Sequence, residues 1–279
     1  MPDPRLIETD PGRLWVRPAH RERLAAAGLD RFEALMGWAG PAKVTRAFKT
    51  RLTVRMEIAG SAFYLKRHAC IAEPRSWLDR LLFRPAVTDA RREWDNLFQL
   101  RAAGIPTAEP AALGEDRAAG RSFLLLEEIP DADPADDLIA REFPPGPDRF
   151  GERRELLARV GDLVRRMHAA GFNHQDMYLC HVFVGRGPDR PLTLIDLQRV
   201  GFRAGGAGRR ERIKDLAQLN YSARPDLLGE RDRLRLLTAC LGTDRLDPAG
   251  KRLLAAVFAK TERIRRHDRR LAGRRARGG

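Results

Sequence analysis

Apolar and polar positions change rhythm repeatedly along this chain. Leu52, Val54, Met56 and Ile58 alternate with Thr53, Arg55 and Glu57, a period of two that predicts a half-buried strand. Ala59-Gly60-Ser61 offers a turn and Phe63-Tyr64-Leu65-Lys66 a returning strand, so a hairpin is expected. From Thr88 to Ala103 the period becomes helical through Trp94, Leu97, Phe98 and Arg101, with Thr88 or Asp89 as cap and Gly104-Ile105-Pro106 as stop. Ser122 to Leu126 is a further extended run, ending in Glu127-Glu128-Ile129-Pro130. The Pro- and Asp-rich stretch that follows, to about Pro147, reads as a linker or surface excursion. Leu156, Leu157, Val160, Leu163, Val164 and Met167 then mark a long amphipathic helix closed by Gly171. His181 to Val184 and Leu192 to Leu197 form a second hairpin around Gly185-Arg186-Gly187-Pro188, and from about Arg210 the chain is helical by period. No internal repeat is evident.

Strand, strand, helix, strand, linker, long helix, short hairpin, helices is the order of an α+β, two-lobed protein-kinase-like fold, with a small β-rich N-lobe and a larger, mainly helical C-lobe. The division it implies is an N-terminal extension over 1–43, the N-lobe over 44–129, the C-lobe over 130–259 and a basic C-terminal tail over 260–279. Many α+β proteins share such an order, so the polar residues must decide.

Composition narrows the field. A chain of 279 residues, 43% hydrophobic, can bury a full core. Its N-terminus lacks a basic-then-apolar signal pattern, and apolar runs such as Leu253 to Ala259 fall far short of the roughly 18 residues a membrane span needs. Cys70, Cys180 and Cys240 are odd in number and widely spaced, which implies neither a disulfide framework nor a zinc site and fits a reducing cytoplasm. The formal net charge is +14, yet 46 of the 52 basic residues are arginine, a bias that base composition of the genome alone can produce. Distribution says more: Lys260 to Gly279 holds nine basic residues against Glu262 and Asp268. That segment reads either as a solvated helix end or as a contact for an anionic surface such as phospholipid, lipopolysaccharide or nucleic acid.

The chemistry concentrates between residues 174 and 196. His174-Gln175-Asp176 precedes a short strand, His181 stands five residues after Asp176, and Leu194-Ile195-Asp196 closes the next strand. Two carboxylates so placed are how kinase-like folds arrange a catalytic base and a metal ligand around ATP. Lys66 ends a strand in a chain with only six lysines and has an arginine beside it, so a compact ammonium able to sit between phosphates stands out against the bias. Glu93 shares a helical stripe with Leu97 and Leu100 and therefore points inward, where it needs a cation. Lys66 is its natural partner; read in isolation, Glu93 would pair with Arg92 or Arg101.

His174-Gln175-Asp176-Met177-Tyr178-Leu179-Cys180-His181, preceded by Met167-His168-Ala169-Ala170-Gly171 and followed by Leu194-Ile195-Asp196-Leu197-Gln198-Arg199, resembles the lipopolysaccharide core heptose kinase family, the WaaP and InaA group. Tyr64-Leu65-Lys66-Arg67-His68, Arg92-Glu93-Trp94 and Lys214-Asp215-Leu216-Ala217 resemble the same family, so the likeness covers most of residues 44 to 222. The resemblance implies that Asp176 is the catalytic base or hydroxyl-orienting group, that Lys66, held by Glu93, contacts the ATP phosphates, and that Asp196 binds Mg²⁺. It places His181 where protein kinases have a metal-binding asparagine, as a magnesium ligand or a hydrogen-bond donor to phosphate. It makes Asp215 the buried acid that braces the catalytic loop through backbone amides, and sets Glu127 and Glu128 at the adenine-binding hinge, where backbone groups do the recognition.

Two departures from protein kinases stand out. No glycine lies between Lys43 and Ile58, so no Gly-rich loop covers the phosphates, and Lys49 or Arg51 is expected to take that work. Gln175 replaces the arginine of a His-Arg-Asp motif, which removes the anchor for a phosphorylated activation segment. The expected activity is ATP- and Mg²⁺-dependent phosphorylation of a sugar hydroxyl of the lipopolysaccharide inner core, on a heptose or Kdo-type acceptor. A cytoplasmic protein in peripheral contact with anionic membrane at its inner face is expected, with nucleic acid disfavoured. The alternatives are a kinase of another small molecule or of protein, or an inactive kinase fold that binds anionic glycolipid or nucleic acid.

Overall fold

The computed structural model describes residues 6–48, 50–69, 87–143 and 149–275. Lys49 and Cys70 lie outside the described residues. The chain forms two compact units: residues up to Gln99 with Ala108–Ile129, and Leu100–Thr107 with everything from Pro130 onward.

The first unit is built on a seven-stranded antiparallel sheet. In chain order its strands are β1 (Ile7–Asp10), β2 (Leu14–Val16), β3 (Ala42–Phe48), β4 (Arg51–Ile58), β5 (Ser61–Ala69), β6 (Pro110–Asp116) and β7 (Arg121–Glu127). The spatial order is β1-β2-β6-β7-β5-β4-β3. The expected hairpin is β4 and β5, in register from Arg51↔His68 to Ile58↔Ser61. Ala59 and Gly60 both take positive φ, 48° and 75°, the two-residue turn whose twist matches antiparallel strands. Val54, Met56 and Ile58 are buried as the alternation requires.

Residues 6–43 are part of this unit rather than an appendage. β1 and β2 extend the sheet through β6. Leu24 of α1 (Pro18–Ala26), Leu29, and Phe32 and Leu35 of α2 (Phe32–Met36) share one buried cluster with Leu14, Val16, Leu65, Phe123 and Leu125. These elements are too short for a periodic signal and are made by the apolar surface the sheet presents. Helix α3 (Asp89–Ala102) begins where Thr88 Oγ1 accepts the Arg91 amide at 3.1 Å, so Thr88 is the cap.

In the second unit, Ala132–Pro134 forms β8 and Ala135–Glu142 forms α4. This corrects the expected linker: Ala135, Leu138, Ile139 and Phe143 are fully buried, a helical stripe hidden among Asp and Pro residues. Residues 144–148 lie outside the described residues. The long helix α5 (Phe150–Ala169) ends before Gly171, whose φ of +94° requires glycine. The short strand β9 (Phe172–Asn173) leads into the loop that carries Asp176. Beyond that loop come β10 (Val182–Gly185), β11 (Leu192–Leu194) and β12 (Gly201–Phe202). β10 lies between β11 and β8, and β12 pairs with β9. The helices α6 (Arg209–Ser222), α7 (Glu230–Leu241) and α8 (Pro248–Arg275) complete the unit. Lys260 sits within α8, and the next residue, Thr261, is buried, its hydroxyl shared between Val257 O at 3.0 Å and Ala217 O at 3.2 Å and accepting from Asn220 Nδ2 at 3.1 Å. Residues 260–275 thus continue a helix packed on α6. Among the described residues no helix is long and apolar enough to cross a membrane.

Candidate active site

In the first unit, β5 delivers Lys66 and α3 delivers Glu93. The ammonium donates to Glu93 Oε1 at 2.6 Å, with the Lys66 side chain 18% and the Glu93 side chain 2% exposed. A carboxylate this deep is tolerable only with a cation against it. Neither Arg92 nor Arg101 takes that place: Arg92 pairs with Asp89 and Arg101 donates to Thr107 O. Arg51, expected to help cover phosphates, instead binds Asp89 Oδ2 at 2.8 Å. Glu127 and Glu128, expected at an adenine-binding hinge, are paired within this unit, Glu127 with His20 of α1 at 2.9 Å and Glu128 with both Arg55 Nε and Nη2 of β4 at 2.7 and 2.8 Å.

In the second unit, one face of α6 holds the loop after β9. Asp215 is fully buried and accepts the His174 amide at 2.8 Å, the Gln175 amide at 2.8 Å and His168 Nε2 at 3.0 Å. Three N–H donors replace the water this carboxylate has lost. Gln218, one turn on, accepts the Met177 amide at 3.1 Å and donates to Gln175 O at 2.8 Å, and Ser222 accepts the Leu179 amide at 2.9 Å. Gln175 is thereby held at a φ of +69°, which is unfavourable for a residue with a Cβ.

His174 fastens this loop to the next strand. Its Nε2 lies 3.0 Å from Ile195 O, and complete burial pushes its pKa down, so the ring is neutral and donates from Nε2. His181 stacks on it, with ring centroids 5.7 Å apart. His181 Nδ1 is 2.7 Å from Asp176 O, a carbonyl that can only accept, so Nδ1 carries a proton and Nε2 is turned outward. Nε2 faces Asp196 Oδ2 at 3.7 Å. An imidazole nitrogen, when it carries no proton, and a carboxylate at this spacing fit a cation shared between them. Asp196 is itself in the left-handed region, with φ 59° and ψ 55°, which aspartate tolerates better than most residues. Among the described residues no cluster of three or more His, Cys, Asp or Glu could hold a metal; two protein ligands, completed by phosphate and water, is ordinary for magnesium.

Of the polar residues of this unit given no role from the sequence, three bear directly on the loop that carries Asp176. Gln218 and Ser222 are legible in retrospect, since 215, 218 and 222 follow helical spacing on one face. Arg199 is the third: its Nη1 lies 3.0 Å from Asp176 Oδ1 and 3.1 Å from Oδ2. No local signal announces that pair, because 23 residues separate its members.

The sequence model of the lipopolysaccharide kinase (Kdo/WaaP) family matches residues 37–239. The lipopolysaccharide core heptose(I) kinase WaaP of Escherichia coli K12 is 32% identical over 238 residues, 82% of this chain and 89% of the relative. The enzyme of the same name from Pseudomonas aeruginosa is 36% identical over 225 residues, 75% of this chain and 80% of its own. Among solved structures, WaaP in complex with acyl carrier protein superposes with a TM-score of 0.65 at 32% identity, covering 90% of this chain and 99% of the other. With its β-sheet N-terminal part, its helical C-terminal part and the sequence match over most of its length, the chain belongs to the lipopolysaccharide kinase (Kdo/WaaP) family.

Proposed function

We propose that this protein transfers the γ-phosphoryl group of ATP to a sugar hydroxyl of the lipopolysaccharide inner core, on a heptose or Kdo-type acceptor. The observation that carries the reading is the braced loop: α6 spends Asp215, Gln218 and Ser222 on four backbone amides so that Asp176 is presented at a fixed point beside Asp196 and His181. In phosphoryl transfer, positioning and charge compensation do nearly all the work, and such rigidity is what positioning requires.

Asp176 orients the acceptor hydroxyl and takes its proton, an effect worth roughly 10²- to 10⁴-fold. Lys66, steadied by Glu93, meets nucleotide phosphate as a point charge. Asp196 and the Nε2 of His181 would hold Mg²⁺, which when bound offsets charge on the phosphates. His174 keeps those two ligands and the Asp176 loop in register, since it touches Ile195 on one side and His181 on the other.

The test is phosphate transfer from ATP to delipidated core oligosaccharide by the purified chain. Asp196→Ala should weaken Mg·ATP binding, whereas Asp176→Asn should keep nucleotide affinity and lower turnover by at least about 10²-fold. Full activity in either variant would sink the assignment of roles. No transfer by the unmodified protein to any core acceptor would sink the function.

A further inference from the structure

Both oxygens of Asp176 are engaged by a single donor atom, Nη1 of Arg199, at 3.0 and 3.1 Å. A hydroxyl approaching to surrender its proton therefore meets a competing cationic donor already in place. Yet the Arg199 side chain is 57% exposed, and a pair at that exposure is held by no more than about 1 kcal/mol. Among the described residues the guanidinium makes no other hydrogen bond, so Nε and Nη2 are available to a second anion. Such an anion can compete for this arginine at little cost.

The surroundings favour that second anion. Lys214 donates to Gln175 Oε1 at 3.2 Å, next to Asp176 along the loop, and its pKa is lowered, first by burial and then by the charge of Arg199. Lys260 acts on Lys214 in the same sense, and the bond from Asn220 of α6 to Thr261 brings the residue before Thr261 alongside α6. The nearby acids are Asp176, which Arg199 covers, and Asp215, which is fully buried and spent on the loop. Lys214 and Lys260 are two of only six lysines in the chain. Arg199 pairs with Asp176 and Lys214 bonds the residue beside it, so two cations stand at one accessible carboxylate, with Lys260 on the helix packed against α6.

We propose that Arg199, backed by Lys214 and Lys260, is an anion subsite for the acceptor: a carboxylate or phosphate carried by the sugar draws the guanidinium off Asp176 and so uncovers the base. The inference rests on the kinase reading above, with Asp176 as its base, and adds that the acceptor must be charged near its reacting hydroxyl. Arg199 is then a specificity and positioning residue whose switch is thrown by the substrate itself.

The experiment compares two acceptors with the full chain and saturating Mg·ATP: core oligosaccharide as isolated, and the same oligosaccharide with its carboxylates reduced to alcohols and its phosphates removed. The unmodified protein should prefer the charged acceptor by about tenfold or more in kcat/KM. Arg199→Gln should abolish most of that preference by raising KM for the charged acceptor about tenfold, with KM for ATP held, and Arg199→Lys should restore part of it. Lys214→Gln should narrow the preference in the same direction. A preference unchanged in Arg199→Gln overturns the subsite while leaving the kinase reading standing. A rise in KM for ATP with acceptor preference intact assigns Arg199 to the nucleotide phosphates and overturns it as well. If the unmodified protein phosphorylates neither acceptor, the kinase reading falls and the subsite with it.

Discussion

At the scale of single residues, the chain places one of its six lysines opposite a buried carboxylate. Lys66 and Glu93 meet at 2.6 Å with the carboxylate almost wholly out of water, so each is expensive without the other. Lys66→Met should strand the Glu93 charge and cost about 3 to 5 kcal/mol of stability, whereas Lys66→Met combined with Glu93→Gln should recover much of that loss. Turnover should behave in parallel: either substitution lowers it by about 10²-fold or more, and the pair falls well short of the product of the two. Thermal melts and steady-state kinetics on the four proteins of the cycle check both statements, and strictly additive losses would mean that the two residues act independently.

At the scale of elements, α6 is a clamp and β8 is a strap. Asp215, Gln218 and Ser222 rise along one face of α6 and tie down the loop after β9. β8 is fastened in turn by Asp133, whose carboxylate accepts Arg186 Nε and Nη2 at 2.9 and 2.8 Å and Arg141 Nη2 at 2.8 Å. Hydrogen bonds from Arg186 and then Arg141 hold the Asp133 pKa well below its ordinary 3.8. As pH falls, the unfolded chain is therefore protonated at this position first. The stabilisation is complete above 3.8 and is lost as pH drops through that value toward the folded pKa. Asp133→Asn should lower the Tm at neutral pH by the equivalent of about 1 kcal/mol, modest because both arginines are largely exposed, and the gap to the unmodified protein should close under acid. A gap of the same size at neutral pH and at pH near 3 would show that the carboxylate's charge is not what holds the strap.

At the scale of the whole molecule, the excess positive charge is partly structural and partly free. Arg265 is paired with Glu262, and Tyr221 of α6 bonds Asp268 of α8, so the helix is anchored well past residue 260. Arg263, Arg269, Arg270 and Arg274 are exposed on the same helix. Near an anionic lipid surface each could contribute about 1 kcal/mol, screened over roughly 8 Å at physiological salt. Replacing these four by glutamine should abolish salt-sensitive sedimentation with phosphatidylserine- or lipopolysaccharide-containing vesicles and spare turnover on a soluble acceptor. Substitution is the right test because removing everything from Lys260 would also remove Thr261, which is buried against α6. Vesicle binding that survives the fourfold change would rule out α8 as the contact.

What the sequence determined by itself is whatever depends on neighbours along the chain. The β4–β5 hairpin, α3 with its start at Thr88 or Asp89 and α5 with its closing glycine are set by periodicity and local backbone chemistry, which act over a few residues. Glu93 pointing inward followed from its helical stripe taken together with Lys66 at the end of a strand. The closely spaced Asp176, His181 and Asp196 could be read as one motif because they lie on consecutive short elements. What tertiary structure decided is everything whose partner is distant: β1 and β2 joining the sheet through β6, Arg51 going to Asp89, α4 forming where Asp and Pro suggested a linker, and Arg199 closing on Asp176. In each case burial of apolar surface brought the segments together, and which charges then met depended on geometry that no local pattern encodes.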